Sequence, residues 1–547
     1  MSQDWPRRPE RLARHYREQG FWEDGLLDGL LREQAAHRPR HPALISGGER
    51  LTYAELDARV DRLATGLAGL PLRRGERVLV QLPNRTEYVV TVFALSRIGA
   101  VPILALPALG PADLESLVSI SDAAAMIVAP GRGARASSTV TAKIASAAPS
   151  VRHLVVTGGP GGDRNGGDGR TLLWDSLLAP TTESSPSPDA PERDPDDLAL
   201  LLLSGGTTGT PKLIPRTHAD YRYNARASAE VSGVDETAVY LAVLPVAHNF
   251  TMVSPGIVGT FAVGGTVVLG PDPSPTTAFE LIEREQVTIS ALVPALVGPW
   301  LDEARRSTRD LSSLKVVQVG GSRLDEATAR RVGPTLDCRL QQVFGMAEGL
   351  NNYTGLDDPE DLVCTTQGRP LSPADEVLVV DEQGDPLPAG VAGELLTRGP
   401  YTLRGYYRAR EPDPLRFTPD GLYRTGDLVT RSENGDLTVV GRVKDQINRA
   451  GEKIAAVEVE EMLMGMPGVR GAAVVGLPDP VLGERSVALL VVPERECPTR
   501  DEVREELLGR GAAAFKVPDE VRRVGRLPLT GVGKVDKKRL RLELTEA

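Results

Sequence analysis

The chain is poor in the residues that staple, ligate and stack. Only three of its 547 residues are cysteines, Cys338, Cys364 and Cys497, and they lie too far apart for metal-ligand spacing. That excludes a disulfide scaffold and points to a reducing, cytoplasmic setting. Histidine is also scarce: none of the six stands in an HExxH motif, so a protein zinc site is not expected. Aromatic residues make up 4%, which leaves Leu, Val, Ala and Ile to fill the cores. No apolar run reaches the roughly 18 residues of a membrane span, and the first 20 residues lack the apolar stretch of a signal peptide. Basic residues are outnumbered by acidic ones, 63 to 74, for a net charge of −11. No long basic stripe is present, so nucleic acid is not an expected partner.

Length alone predicts about two to four domains. Thr52 followed by Glu55 forms a capping box at the head of a helix in LTYAELDARVDRLATGLAGL. ERVLVQLPN reads as a buried strand, EYVVTVFALSRIGA as a helix stopped by Gly99, and VPILALP as a strand again. That alternation predicts parallel α/β layers. Residues 158–170 are Gly/Asp-rich and 180–197 Pro/Ser/acid-rich, the composition of surface loops. LKVVQV (314–319) predicts a strand ending at Gly320-Gly321, and residues 393–440 read as β-rich. Past Gly441 the pattern changes to helix, two strands and a helix closed by Gly511, a small α+β unit of domain size.

LALLLL (198–203) is apolar throughout, which predicts a central parallel strand. It runs into Ser204-Gly205-Gly206-Thr207-Thr208-Gly209-Thr210-Pro211-Lys212. Three glycines let the backbone approach a phosphate. Consecutive N–H groups in such turns form anion nests, and Lys212 adds a cation. The order Pro211-Lys212, with no Ser or Thr following, is not that of a P-loop.

SGGTTGTPK resembles the signature loop of the acyl-adenylating superfamily, which includes acyl-CoA synthetases, luciferases and peptide-synthetase adenylation domains. The longer LSGGTTGTPKLIPRTHADY resembles the stand-alone aryl acid–AMP ligases, the 2,3-dihydroxybenzoate/salicylate branch. The resemblance covers nearly the whole chain, with the motifs in family order. It implies an α/β fold: a large N-terminal adenylate-forming domain, 1–443, of α/β layers plus a β-rich subdomain, and a small mobile C-terminal α+β lid, 444–547.

The resemblance also implies roles. ATP is bound by the loop Ser204–Lys212, by Gly320, Gly321 and Ser322, and by Val343, Phe344, Gly345 and Met346 of VFGMAEG. Glu348 holds Mg²⁺, which prefers oxygen ligands. Asp427 of YRTGD takes the ribose hydroxyls, with Arg442 assisting. Lys444 matches the hinge, and Ala450 to Lys453 would face the acceptor thiol, with Ala450-Gly451 where relatives often have Gly-Gly. Lys534 of PLTGVGKVDKKRL matches the catalytic lysine, placed to stabilise charge growing at the α-phosphate.

PVAHNFTMVSPG (245–256) resembles the aryl-acid pocket. His248 would line the carboxylate entrance, and Asn249 and Ser254 would bond ring hydroxyls. Phe250 replaces the common Tyr. Asn351 stands where the branch has a small apolar residue and Gly355 where Arg is common; Asn351 is expected to reach a polar ring substituent or nitrogen. Salicylate-dedicated relatives often carry Cys at the pocket Asn or Ser, and this chain keeps both. The implied reaction is two-step: an aryl acid and ATP form the acyl-adenylate, and the phosphopantetheine thiol of an aryl carrier protein then takes the acyl group. An aryl-CoA ligase using free CoA is the alternative.

Overall fold

The computed structural model describes residues 4–129, 143–145, 148–158, 171–178, 193–204, 212–409, 415–450, 452–493, 497–510, 512–530 and 534–545. Both composition-biased loops fall almost wholly outside this set. What remains of the second is held by arginines: Arg17 pairs with Asp196 at 2.7 Å and Arg7 with Asp197 at 3.3 Å.

Four sheets carry the fold. A seven-stranded sheet contains Arg77–Gln81, flanked in parallel by Val101–Leu104 and Ala125–Val128. A nine-stranded sheet runs parallel from Arg339–Gly345 through Val316–Gly320, Ile289–Leu292, Val239–Ala242 and Thr266–Leu269 to Pro42–Ser46. The helix Thr86–Arg97 touches strands of both sheets and is buried except at Glu87. That explains its apolar residues on every face. Arg97, at its end, is neutralised by Asp57 and Asp61. The capping box on Tyr53–Ala68 forms as its sequence predicts, with Thr52 and Glu55 bonding reciprocally.

Leu198–Leu203 is not a central strand. It pairs in parallel with Val101–Leu104 but antiparallel with Leu213–Thr217, the outermost strand of the seven. Its apolarity reports that its side chains are covered; it carries no information about the direction of the neighbouring strand. The phosphate-loop sequence is therefore the connection of an antiparallel pair. Gly205 to Pro211 lie outside the described residues, but the base is closed: the Ser204 N–H donates to the Lys212 carbonyl at 2.9 Å.

A four-stranded antiparallel sheet, Glu376–Val380, Gly393–Arg398, Tyr423–Arg431 and Leu437–Arg442, forms the β-rich part. About the last hundred residues build a separate five-stranded sheet, including the long pair Gly471–Asp479 and Gly483–Val491, with helices Ala456–Met464, Arg500–Gly509 and Lys537–Thr545. Its apolar residues form clusters of their own. Arg510 caps the middle helix, and Gly511 lies outside the described residues. Among the described residues no helix is long and apolar enough to cross a membrane.

The N-terminal segment straps the loop after Gly393–Arg398. Arg8 donates to the carbonyls of Gly399 and Thr402 at 2.7 and 2.8 Å, the Trp22 indole donates to Pro400 O, and Asp4 pairs with Arg408 at 3.1 Å.

Candidate active site

Three parallel strands of the large sheet end on one edge, where α/β sheets bind ligands. Val239–Ala242 leads to His248, Val316–Gly320 to Gly321, and Arg339–Gly345 to Glu348.

His248 caps the short helix Asn249–Val253: its Nδ1 accepts the Phe250 N–H at 3.2 Å. That leaves the Nε2 position for the proton of the neutral ring. Burial, together with the positive charge of Lys534, pushes its pKa down to about 4. Asn249 accepts from the Tyr221 hydroxyl at 3.1 Å. The Phe250 ring lies on Gly320, where an added Cβ would stand 3.1 Å from ring carbons and 2.7 Å from Val343 O; only glycine leaves room for the ring. Ser254 is buried beside the Tyr353 hydroxyl. Asn351, expected to face the ring substituent, spends its Nδ2 on Asn224 Oδ1 at 3.0 Å.

On the other side, Gly321 takes φ +89°, a conformation glycine favours, and Ser322 lies exposed beyond it. The Val343 side chain belongs to the main core, while Phe344 and Met346, partly exposed, pack on the cluster around Leu350. Glu348 is 9% exposed, and burial raises its pKa. It accepts from the Tyr406 hydroxyl at 3.2 Å, which also meets the Tyr423 hydroxyl at 3.2 Å. The Lys212 ammonium sits 4.7 Å from the centre of the same Tyr406 ring. Asp427 and Arg442 are register partners on adjacent strands, joined at 2.7 Å from Nε to Oδ1.

Lys534 enters from the small unit. It is half-buried against this wall: desolvation lowers its pKa, Arg442 and Lys444 push the same way, and Asp427 and Glu348 oppose them. Its N–H is held by Thr530 Oγ1 at 3.2 Å. Lys444 lies in the short turn Val443–Asp445, where Arg541 bonds Asp445 at 2.9 Å. His248, Glu348, Asp427, Arg442 and Lys534 thus converge, while Gly205 to Gly209 fall outside the described residues.

A model of the AMP-binding enzyme family matches residues 31–407, and one of the AMP-binding enzyme C-terminal domain matches 458–534. The chain is an AMP-binding enzyme. It is 46% identical to a 2,3-dihydroxybenzoate-AMP ligase of Bacillus subtilis over 538 residues, 98% of this chain and 97% of that one. It is 45% identical to a salicyl-AMP ligase / salicyl-S-ArCP synthetase of Mycobacterium tuberculosis, over 97% of this chain and 93% of the other. The apo structure of MbtA from Mycobacterium smegmatis superposes with a TM-score of 0.75 at 44% identity, over 99% of both chains. This AMP-binding enzyme is therefore an adenylate-forming ligase that uses ATP.

Four side chains at the edge of this AMP-binding enzyme's site were given no role by the motifs. Tyr406 and Tyr423 sit against Glu348 but are distant from it in sequence. Arg416 brings its Nη1 to 3.8 Å from where a Cβ on Gly426 would stand, and its charge lowers the pKa of Glu348. Asn224 lies within an ordinary-looking helix.

Proposed function

We propose that this ligase activates a hydroxyaryl carboxylic acid, of the 2,3-dihydroxybenzoate or salicylate kind, to its adenylate. It then passes the acyl group to the phosphopantetheine thiol of an aryl carrier protein in siderophore or non-ribosomal peptide assembly. The observation that carries this reading is the arrival of Lys534 from the small unit beside His248, Glu348 and the Asp427–Arg442 pair. The names of the Bacillus and Mycobacterium relatives support the acid class, and the latter's supports the carrier.

In the first step an oxygen of the acid's carboxylate attacks the α-phosphorus of ATP. The bond to the bridging oxygen breaks and pyrophosphate leaves. No side chain need be a nucleophile; positioning and charge stabilisation suffice. His248, neutral and with Nδ1 already engaged, offers an N–H donor to the carboxylate and takes no proton at neutral pH. Lys534 bridges carboxylate and α-phosphate, where negative charge grows. Asp427 accepts the ribose hydroxyls and is held for that by Arg442. Ser204 to Lys212, with Gly320, Gly321, Ser322 and the 343–346 backbone, line the rest of the nucleotide.

Mg²⁺ usually takes one or two carboxylates and completes its shell with phosphates and water. The buried Glu348, whose carboxylate accepts from the Tyr406 hydroxyl, fits that need. When bound, the ion neutralises phosphate charge.

In the second step the lid, 444–547, turns about Lys444 against the core, 1–443. Lys534 withdraws, and the face bearing Ala450 to Lys453 comes to the acyl-adenylate. The thiol sulfur attacks the acyl carbon and AMP leaves. An ATP–pyrophosphate exchange panel of aryl acids tests the first step: hydroxyaryl acids support exchange, and a panel in which none does would remove the reading. Thioester yield with a carrier protein against free CoA tests the second; a higher rate with CoA would reassign the acceptor.

A further inference from the structure

The helix His218–Val231 turns a polar face toward the acid side of the site. Tyr221, Asn224 and Ser228 are spaced three and four residues apart, so they share that face. Tyr221 bonds Asn249, as described. Asn224 Oδ1 accepts both Asn351 Nδ2 at 3.0 Å and the Ser228 hydroxyl at 3.2 Å. The Tyr353 hydroxyl donates to Ser228 Oγ at 3.0 Å and lies beside Ser254. One buried hydrogen-bonded chain therefore runs Asn351–Asn224–Ser228–Tyr353. It ends beside Ser254, the residue expected to bond a ring hydroxyl.

Asn224 and Asn351 are 1% and 3% exposed. Each keeps one polar atom without a partner among the described residues: the Asn224 Nδ2 donor and the Asn351 Oδ1 acceptor. Turning both amides over exchanges which residue offers which, but one donor and one acceptor remain either way. The Asn351 oxygen lies against Gly345, where a Cβ would stand 2.0 Å from it. The Asn351 backbone is pinned on both sides, its N–H to the Tyr401 hydroxyl at 3.2 Å and its carbonyl to Leu371 N at 2.7 Å, which fixes the position from which its amide reaches. A buried amide group left unpaired costs about 1–3 kcal/mol.

We infer that Asn224 and Asn351 together select an acid that carries, besides its ortho hydroxyl, a second polar function on the ring: a hydroxyl or a ring nitrogen. This rests on the reading of the chain as an aryl-acid ligase. A side chain that is apolar at position 351 leaves that ring edge indifferent. The paired asparagines make an apolar edge there unfavourable, because it strands a donor and an acceptor at once. Sites built to bond a polar substituent reject its absence more strongly than they sense a methyl group. Asn224 acts both directly, through its remaining atom, and as the positioning residue for Asn351.

The test is kcat/KM by ATP–pyrophosphate exchange on the full chain. The acids are salicylate, 3-methylsalicylate, 2,3-dihydroxybenzoate and 3-hydroxypicolinate. The wild type is expected to favour one of the last two over salicylate by about tenfold or more; which of the two separates the hydroxyl from the ring nitrogen. Asn351→Val and Asn224→Ala are expected to erase most of that ratio, chiefly by lowering kcat/KM for the favoured polar acid. A purely structural role would lower all four acids together. The wild-type ratios decide even if a variant does not fold. Salicylate or 3-methylsalicylate used as well as both polar acids would overturn the inference and leave the ligase reading standing. Exchange with no acid would overturn both.

Discussion

Burial and the guanidinium of Arg442 work against the charge of Lys534, while Asp427 and Glu348 support it. A lysine held among such opposed groups has been brought there for charge, since packing alone would be served by an apolar residue. Lys534→Ala is expected to lower acid-dependent pyrophosphate exchange by about a hundredfold or more, the scale of losing one transition-state donor. Circular dichroism should be unchanged, and thioester formation from supplied acyl-adenylate should persist. Exchange at the wild-type rate would remove Lys534 from the mechanism. A second residue makes a prediction about pH. His218 accepts the Leu27 N–H on Nδ1 at 3.0 Å, faces Asp28, Arg193, Asp197 and Arg222, and is pushed by burial down to about 4. Unfolded, it titrates near ~6.5. Above that value its contribution to stability is complete. As pH falls from about 6.5 toward 4 the unfolded chain takes the proton first and the contribution is lost. The stability advantage of wild type over His218→Gln should therefore shrink across that window, read from urea midpoints; a constant difference would refute it.

The turn between strands Arg339–Gly345 and Asn351–Tyr353 sets where Glu348 stands. Gly349 adopts φ +102°, and a Cβ there would lie 2.1 Å from Tyr401 O. The neighbouring loop also returns the Leu403 N–H to the Glu348 carbonyl at 2.8 Å. Gly349→Ala should thus displace the carboxylate and raise KM for ATP by about tenfold, as strain of roughly 1–3 kcal/mol would. The preference among acids should hold; a changed preference with unaltered ATP use would contradict this. Features of this element that are local in sequence were readable in advance. The capping box at Thr52 and Glu55, the Gly320-Gly321 strand end and the position of Glu348 each depend on a few adjacent residues. Tyr406 was not readable, because its partner Glu348 comes from another segment and a tyrosine pair in RGYYRAR has no local meaning. Asn224 was hidden for a different reason: on a helix with Ser, Tyr and Arg neighbours, one more polar residue does not announce burial. Leu198–Leu203 was read for apolarity and placed in the wrong part of the sheet, since coverage and strand direction are separate facts. Asn351 was singled out as a departure, but its tie to Asn224 required the fold.

At the scale of the whole molecule, an ion pair joins the small unit to the large one. Arg323, just past Gly321, pairs with Glu461 of helix Ala456–Met464 at 2.7 Å and also donates to Val439 O at 2.8 Å. Burial pushes Glu461 up to about 7 against the pull of Arg323. Arg323→Ala should loosen the arrangement that holds Lys534 in place and slow pyrophosphate exchange about two- to fivefold, the worth of a part-exposed pair. Thioester transfer from supplied acyl-adenylate should not slow; an equal fall in both half-reactions would mean the pair serves the fold and not the arrangement. The N-terminal strap has a practical corollary. Arg8 and Trp22 brace Gly399, Pro400 and Thr402, the same loop whose Leu403 steadies Glu348. Cutting the chain back past Arg8, or crowding that end with a purification tag, should weaken ATP use while leaving the choice of acid alone, as KM values for each substrate would reveal. Whoever trims this protein for crystals at its far end is editing its nucleotide site.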